Sequence, residues 1–508
     1  MKNAEVVKLL FKNPTQTEHT CSICDIVVRQ LRSAGYKNLM THLRSHHVGF
    51  EAVAEECAKK GCTPIRSMFV HKDAADTYGW TKLVALKNFP LAHVDDAVIR
   101  SAIRYMAMDR ATLLKRTTSL VGVVDGKICV ELAGEKFVLV FDGFTDPAEH
   151  AIAIFAATKK GVRFLAFSPF QNEASMTAAE HIDFLDLVLA QYGLHLADML
   201  AIVADNMPTN KAIARRVDLP LVGCAAHRFN LAVRERLAPH MKLIKKVSAM
   251  MRKLKTRFED FRPYLHHFQD DSDVDRDLPA DAEADDIRRV PFVDLIPSVS
   301  EQRKISELLD EMTAFDVVTG KLQRHDMTVA TVRDIFGIVL DDYDNMEKYL
   351  APDADIVESP DFERGLAKIQ GGGDFTLLRN ERKALNRLLA EPQDQPRTVA
   401  TSSTPSKPKR KRAAEALDEK IRKKACKRST RQSKYLDASW IPATSVVVER
   451  FFSTVKSTIG YLRKSMSPET LEVIMFLKMN WDLVTLADVS SAIVQSKDNN
   501  GQEVAEQE

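Results

Sequence analysis

Cys21-Ser22-Ile23-Cys24 is followed, after seventeen intervening residues, by His42, and then by His46 and His47. A zinc ion takes four soft or borderline ligands in a tetrahedron. A Cys-x-x-Cys turn supplies two of them, and two histidines about one helical turn apart supply the others. Residues 38–47 (NLMTHLRSHH) read as a helix that sets His42 beside His46 or His47, and spacing alone leaves both open as the fourth ligand. The bland alternative is a chance Cys-x-x-Cys beside a His-rich helix. A unit this small has little core of its own, so bound metal is expected to stabilise it directly. Arg29, Arg32, Lys37 and Arg44 offer charge for phosphates, although an ordinary solvated surface would look the same.

Two aspartates end apolar runs. Asp142 follows Phe137–Phe141, and Asp205 lies just beyond Leu200–Val203. A carboxylate at the end of a buried strand is a common place for chemistry in an α/β sheet, and strand-end Asp is equally common as a turn former. Cys224 and His227, three residues apart at a helix start, admit a zinc pair, a Cys–His nucleophile, or a buried structural pair.

The elements that must position these residues change character along the chain. Residues 51–130 read mainly helical, as over Asp95–Thr117. Phe137–Phe141, Ala151–Ala157 and Arg163–Phe167 read as strands, with Gly161 marking a turn. A helix from Thr177 to Tyr192 follows, with Thr177 as its N-cap. Leu200–Val203 and Leu219–Gly223 are further strands, separated by a helix near Asn210–Arg216. Three strands, a helix, then strand–helix alternation imply an α/β sheet of mixed direction. Residues 241–390 read as helical, apart from 270–286, where nine Asp/Glu face one Arg and a solvated acidic loop is expected. Residues 391–433 form a second linker that turns strongly basic. A structured block spans 434–493, and residues 494–508 are expected to be a disordered tail.

At 508 residues the chain is too long for one compact domain, and 45% apolar residues are enough for real cores. The formal net charge of +2 announces no nucleic-acid partner; the distribution of charge is more informative. Seven cysteines, an odd number widely scattered, argue against a disulfide framework and for a reducing compartment. Met1–Glu5 does not open a secretion signal, and no run approaches the ~18–20 apolar residues of a membrane span. A soluble intracellular protein without a membrane partner or small-molecule substrate is expected.

Several motifs, in one order, resemble those of the hAT (hobo–Activator) superfamily of DNA transposases. Residues 21–47, with the Gly35–Leu39 lead-in, look like a BED-type zinc finger. Asp142-Gly143-Phe144-Thr145 with His150–Phe155 is similar to the family's first catalytic motif, and Ala204–Ala212 (ADNMPTNKA) to its second. Gly223–Leu231 (GCAAHRFNL) resembles its Cys-x-x-His motif, and Pro442–Ser453 (PATSVVVERFFS) the segment with its third carboxylate.

The resemblance implies an RNase H-like mixed-sheet core over 131–240, completed within 434–493 and interrupted by a helical insertion. A ββα-type finger over 1–50 precedes it. Asp142, Asp205 and Glu449 would hold Mg²⁺ or Mn²⁺ for phosphodiester cleavage and strand transfer on double-stranded DNA. Cys224 and His227 would orient DNA or support the carboxylates. The C-terminal block resembles the family's dimerisation region, which implicates Phe451, Phe452, Leu471, Ile474, Phe476, Leu477 and Trp481 in self-association. Burial of the apolar helix at 469–484 in the chain's own core is the alternative. Lys407, Lys409, Arg410, Lys411 and Arg412, with Lys420–Arg428, look like a two-part nuclear localisation signal or a flexible basic arm. One departure matters: the tryptophan often functional in the family's insertion has no counterpart, because Trp80, Trp440 and Trp481 are the only tryptophans. A retired transposase acting as a dimeric DNA-binding regulator is the second reading.

Overall fold

The computed structural model describes the chain apart from residues 1, 16, 24–25, 31–34, 49, 61–69, 104, 106–107, 147–148, 171–177, 262–291, 391–432, 461–465 and 506–508. It is mixed α/β, mostly helical, with one five-stranded mixed sheet. Two compact units divide it, Met1–Ile202 with Val447–Glu508, and Val203–Val446. The cut falls inside a strand, three residues before Asp205, and not near residue 240.

The first unit opens with α1 (Asn3–Leu10), β1 (Phe11–Lys12), β2 (Glu18–Cys21), β3 (Val27–Arg29), α2 (Lys37–His46), β4 (His47–Val48), α3 (Phe50–Lys60) and β5 (Val70–His71). β1, β2 and β3 form an antiparallel sheet, and β4 pairs with β5. This segment has more core than its length suggests. Val6, Val7 and Leu10 from α1 and Phe50 and Ala54 from α3 close over Phe11, Cys21, Leu39, Met40 and Leu43. Helices on both sides of the expected ββα unit add this apolar area.

Next come α4 (Lys72–Leu86), α5 (Ala97–Ala102) and α6 (Arg110–Leu132). The helix expected over Asp95–Thr117 is two helices, because two aspartates each start one. Asp96 accepts from the N–H groups of Val98 and Ile99, and Asp109 from that of Thr112.

The main sheet begins as an antiparallel meander of β6 (Phe137–Asp146), β7 (Glu149–Thr158) and β8 (Gly161–Phe170). β9 (Met199–Ala204) and β10 (Leu221–Gly223) extend it in the order β10-β9-β6-β7-β8. Gly161 opens β8 at φ +140°, a conformation L side chains rarely adopt. All six residues of β9 are buried, which is why it reads as an unbroken apolar run. β6 outruns its apolar stretch: pairing with β7 continues to Asp146 opposite Glu149, so Asp142 lies within the strand opposite Ala153, not beyond its end. Ladder hydrogen bonds extend a strand wherever a partner continues, whereas apolar residues mark only its buried part. α7 (Ala178–Gln191) follows, and its expected cap, Thr177, lies outside the described residues.

The second unit carries α8 (Pro208–Arg216), β10, α9 (Ala225–Leu237), α10 (Met241–Phe261), α11 (Val299–Leu322), α12 (Val329–Asp342), α13 (Glu347–Leu350), α14 (Pro360–Gln370) and α15 (Arg379–Ala384). A buried ion group joins several of them. Glu363 of α14 and Arg228 of α9 are each 2% exposed. Glu363 Oε1 accepts from the Gly223 N–H (3.1 Å), and Oε2 from Arg228 Nη1 (3.2 Å) and Arg333 Nη2 (2.6 Å). Arg228 also donates to the carbonyls of Tyr349 (2.8 Å) and Ala351 (2.9 Å). Burial pulls the Arg228 guanidinium down to about 10, against the opposing pull of Glu363 and with a further lowering from Arg333.

The chain then returns to the first unit through α16 (Val446–Ile459), α17 (Pro468–Met479) and α18 (Leu486–Ala505). The last helix enters the tail expected to be disordered from residue 494. Phe451, fully buried, stacks on Phe164 with centroids 4.7 Å apart and meets Phe155 and Phe167 edge-on. Phe452, Leu471, Ile474, Phe476 and Leu477 are buried too, and Trp481 packs against Tyr78 at 5.4 Å. Of the seven residues implicated in a dimer surface, six are buried within the unit's own core and Trp481 is half-buried. α17 is apolar on several sides because β8, α4 and α6 all pack on it.

Beside that core, the Tyr192 hydroxyl donates to Asp125 of α6 at 2.5 Å. Burial raises the Asp125 carboxyl above its ordinary value, while hydrogen bonds from Tyr192 and Gln191 oppose the rise. The carboxyl of Glu472 on α17 is raised too, by partial desolvation and by the charges of Asp125 and Glu469, although its side chain is exposed to solvent.

Two outcomes are expected. Glu363→Ala strands two guanidiniums in the interior and should cost about 3–5 kcal/mol, read as a lower urea midpoint. For Glu472 the folded value lies above the unfolded one, so its stabilising contribution is full below the ordinary carboxylate range and is lost as pH rises through the raised value. Because solvent screens this exposed side chain, Glu472→Gln should melt only slightly above the wild type at neutral pH, with the gap closing on acidification; thermal scans across pH check this.

Candidate metal centre

Cys21 is the last residue of β2, His42 lies within α2, and His47 opens β4. Their ligand atoms lie within 4.8 Å of one another, and Cys21 Sγ is 3.5 Å from His47 Nε2. Cys21 and His47 are buried, at 0% and 1% exposed, whereas His46 is half-buried. Of the two histidines left open, His47 is the one whose ring nitrogen gathers with Cys21 and His42, although the His46 ring also lies beside His42, with centroids 4.8 Å apart. α2 stops at His46, and His47, at φ −135° and ψ 74°, leaves the helical path with its ring centroid 5.2 Å from that of His42. One thiol and two imidazoles gathered in an enclosed site are a donor set suited to zinc. Cys24 lies outside the described residues. Among the described residues this is the only such group of three or more His, Cys, Asp or Glu.

Asp205 stands one residue beyond β9 and is 8% exposed. Its Oδ1 accepts from the Met207 N–H (3.0 Å) and from Asn210 Nδ2 (2.6 Å), while Oδ2 has no hydrogen bond among the described residues. Asn206, 7% exposed, has no described partner for either amide atom. It lies over Gly223 so closely that a Cβ there would come within 2.1 Å of Asn206 Oδ1; glycine is needed for that approach.

Cys224, fully buried, precedes α9 as its N-cap. Its N–H donates to the Ala204 carbonyl (2.7 Å), and its Sγ accepts from the Ser445 N–H (3.3 Å). The Ala225 N–H meets the Ala443 carbonyl (3.0 Å), and the Ala443 N–H meets that of Met327 (3.1 Å). The Cys224 thiol thus holds the segment leading into α16. His227 sits half-buried in the first turn of α9.

Asp142 is half-buried, and its Oδ1 accepts from the adjacent Gly143 N–H (2.9 Å). Glu449 is exposed in the first turn of α16, between buried Val448 and Phe451. Asp142 and Glu449 fall in the first unit and Asp205 in the second. Lys407, Lys409, Arg410, Lys411 and Arg412, and the acidic run 270–286, lie outside the described residues. Sequence reasoning missed Asn210 as a holder of Asp205, although it stands within the ADNMPTNKA motif. Glu363 carried no signal, because its partners are distant in the chain.

No known family model matches the chain, and no curated protein matches it significantly. Among the described residues no helix is long and apolar enough to cross a membrane.

Zinc content of purified protein tests the ligand assignment. His47→Ala should abolish stoichiometric zinc, and His46→Ala should retain it; the opposite pattern would make His46 the ligand.

Proposed function

We propose that the chain is a transposase of the hAT type. It binds double-stranded DNA through a zinc-dependent BED-type finger, then cleaves phosphodiesters and transfers strands with Mg²⁺ or Mn²⁺ in the nucleus of its host. The observation that carries this reading is Asp205. One of its oxygens is fixed by two donors and the other is left without a described partner, at the end of a fully buried strand. Such a carboxylate is oriented before any cation arrives, which lowers the ordering cost of binding one.

The sheet order supports the reading. A three-stranded meander with two strands added beyond its first member is the arrangement an RNase H-like core requires, and Asp142 lies on that first strand. Asp142, Asp205 and Glu449 would hold the cations, hard oxygens being the ligands magnesium prefers. Bound there, the metals supply activation of a water or 3′-hydroxyl and neutralise the leaving oxygen. The Cys21, His42 and His47 group fits the zinc of the finger.

A second reading, a transposase-derived DNA-binding regulator without chemistry, is favoured by one observation: no tryptophan falls between residues 206 and 430. The two separate in a cleavage assay with Mg²⁺ or Mn²⁺ on a plasmid carrying the element's own flanking sequences. The wild type is expected to cut, and Asp142→Ala, Asp205→Ala and Glu449→Ala to bind DNA without cutting. Retained cleavage in Glu449→Ala would remove that residue from the set. Zinc-dependent binding without cleavage by the wild type would establish the second reading.

A further inference from the structure

Between Met241 and Lys255, α10 carries six Lys/Arg and no Asp/Glu. Lys246 is half-buried, its Nζ lying 2.9 and 3.1 Å from the Glu301 carboxylate of α11. Lys242, Lys245, Arg252 and Lys255 are all exposed. At 3.6 residues per turn these four fall within an arc of about 140°, and they extend over roughly 20 Å of helix. On the opposite side Leu243, Val247, Met250 and Leu254 are half-buried, and the short turn Phe292–Leu295 packs against the helix; Ala249, within the basic arc, is buried, and Met241 and Met251 on or beside that arc are exposed.

We propose that this stripe of α10 is a second duplex-DNA contact, gripping the phosphate backbone without reading sequence. The inference rests on the DNA-handling function proposed above. Cations held on one side of a rigid helix, over a length of rather more than half a duplex turn, match a regular row of phosphates. An anionic membrane is the other partner a basic amphipathic helix suits, but it needs the apolar side free, and here that side is packed within the unit. Most contacts of this kind position a protein on DNA and leave sequence choice to other elements. The finger would then recognise and α10 would hold.

The test uses the full zinc-loaded chain and a duplex of unrelated sequence, with affinity followed by fluorescence anisotropy across about 50–200 mM salt. The variant K242Q/K245Q/R252Q/K255Q removes the stripe, and K242R/K245R/K255R keeps its charge. Each phosphate contact contributes about 0.9 to the slope of log affinity against log salt, so the glutamine variant should lose about 3–4 from that slope while the arginine variant keeps it. Matching melting temperatures establish that both variants are folded; should the quadruple variant not fold, K242Q/K245Q and R252Q/K255Q, each expected to lose about half as much slope, replace it. An unchanged slope in folded glutamine variants, with the wild type binding duplex, overturns the inference and leaves the proposed function standing. A wild type that binds no duplex at the lowest salt overturns both. Charge-dependent binding to anionic vesicles, with no change on duplex, also overturns the inference.

Discussion

One carboxylate organises the second unit. Glu363, itself buried, takes a buried guanidinium from α9, a half-buried one from α12 and the backbone N–H that ends β10. Two cations against one anion leave a net positive charge, and the carbonyls of Tyr349 and Ala351 absorb part of it by accepting from Arg228. Such a group gives little net stability compared with an apolar packing of the same volume, yet it tolerates no missing member. Its geometric consequence reaches the candidate site. Gly223 is held through its N–H, Asn206 lies against it, and Asp205 precedes Asn206.

The first unit depends on a different constraint, the filling of one face of the β6–β8 meander. Phe155, Phe164 and Phe167 present rings that need partners, and Phe451 and Phe476 from the far end of the sequence supply them. Aromatic pairs of this kind gain beyond their buried area, so returning the chain after a long excursion is offset by dense packing at its end. Because this packing consumes α17, a helix that looks sticky in isolation leaves those side chains no outward surface.

In the N-terminal segment a Cys/His/His group able to hold a metal and an apolar core share one small stretch of chain. β2 delivers Cys21 and α2 delivers His42. The break in the helical path after His46 swings His47 into the same enclosure. Leu39 and Leu43 face the core shared with α1 and α3, so a ligand helix and a core helix are one element. That division by side is the ordinary economy of a helix with 3.6 residues per turn.

Much of this was legible in the residues themselves. Apolar runs marked β6 to β9, because burial on both faces suppresses alternation, and His42 with His46 or His47 announced a ligand helix by spacing. Asp205 stood visibly at the end of its strand. Local sequence cannot set where pairing stops, which is why Asp142 proved to lie inside β6, or which of two adjacent histidines turns inward. It also cannot tell a helix buried in its own chain from one that binds a copy, since both require the same apolar residues. Glu363 was invisible for the same reason: its role is defined by Arg228, Arg333 and Gly223, which only folding brings near. Sequence by itself determined the elements and the chemical types on them; tertiary structure decided burial, register and partnership, because those depend on groups far apart along the chain.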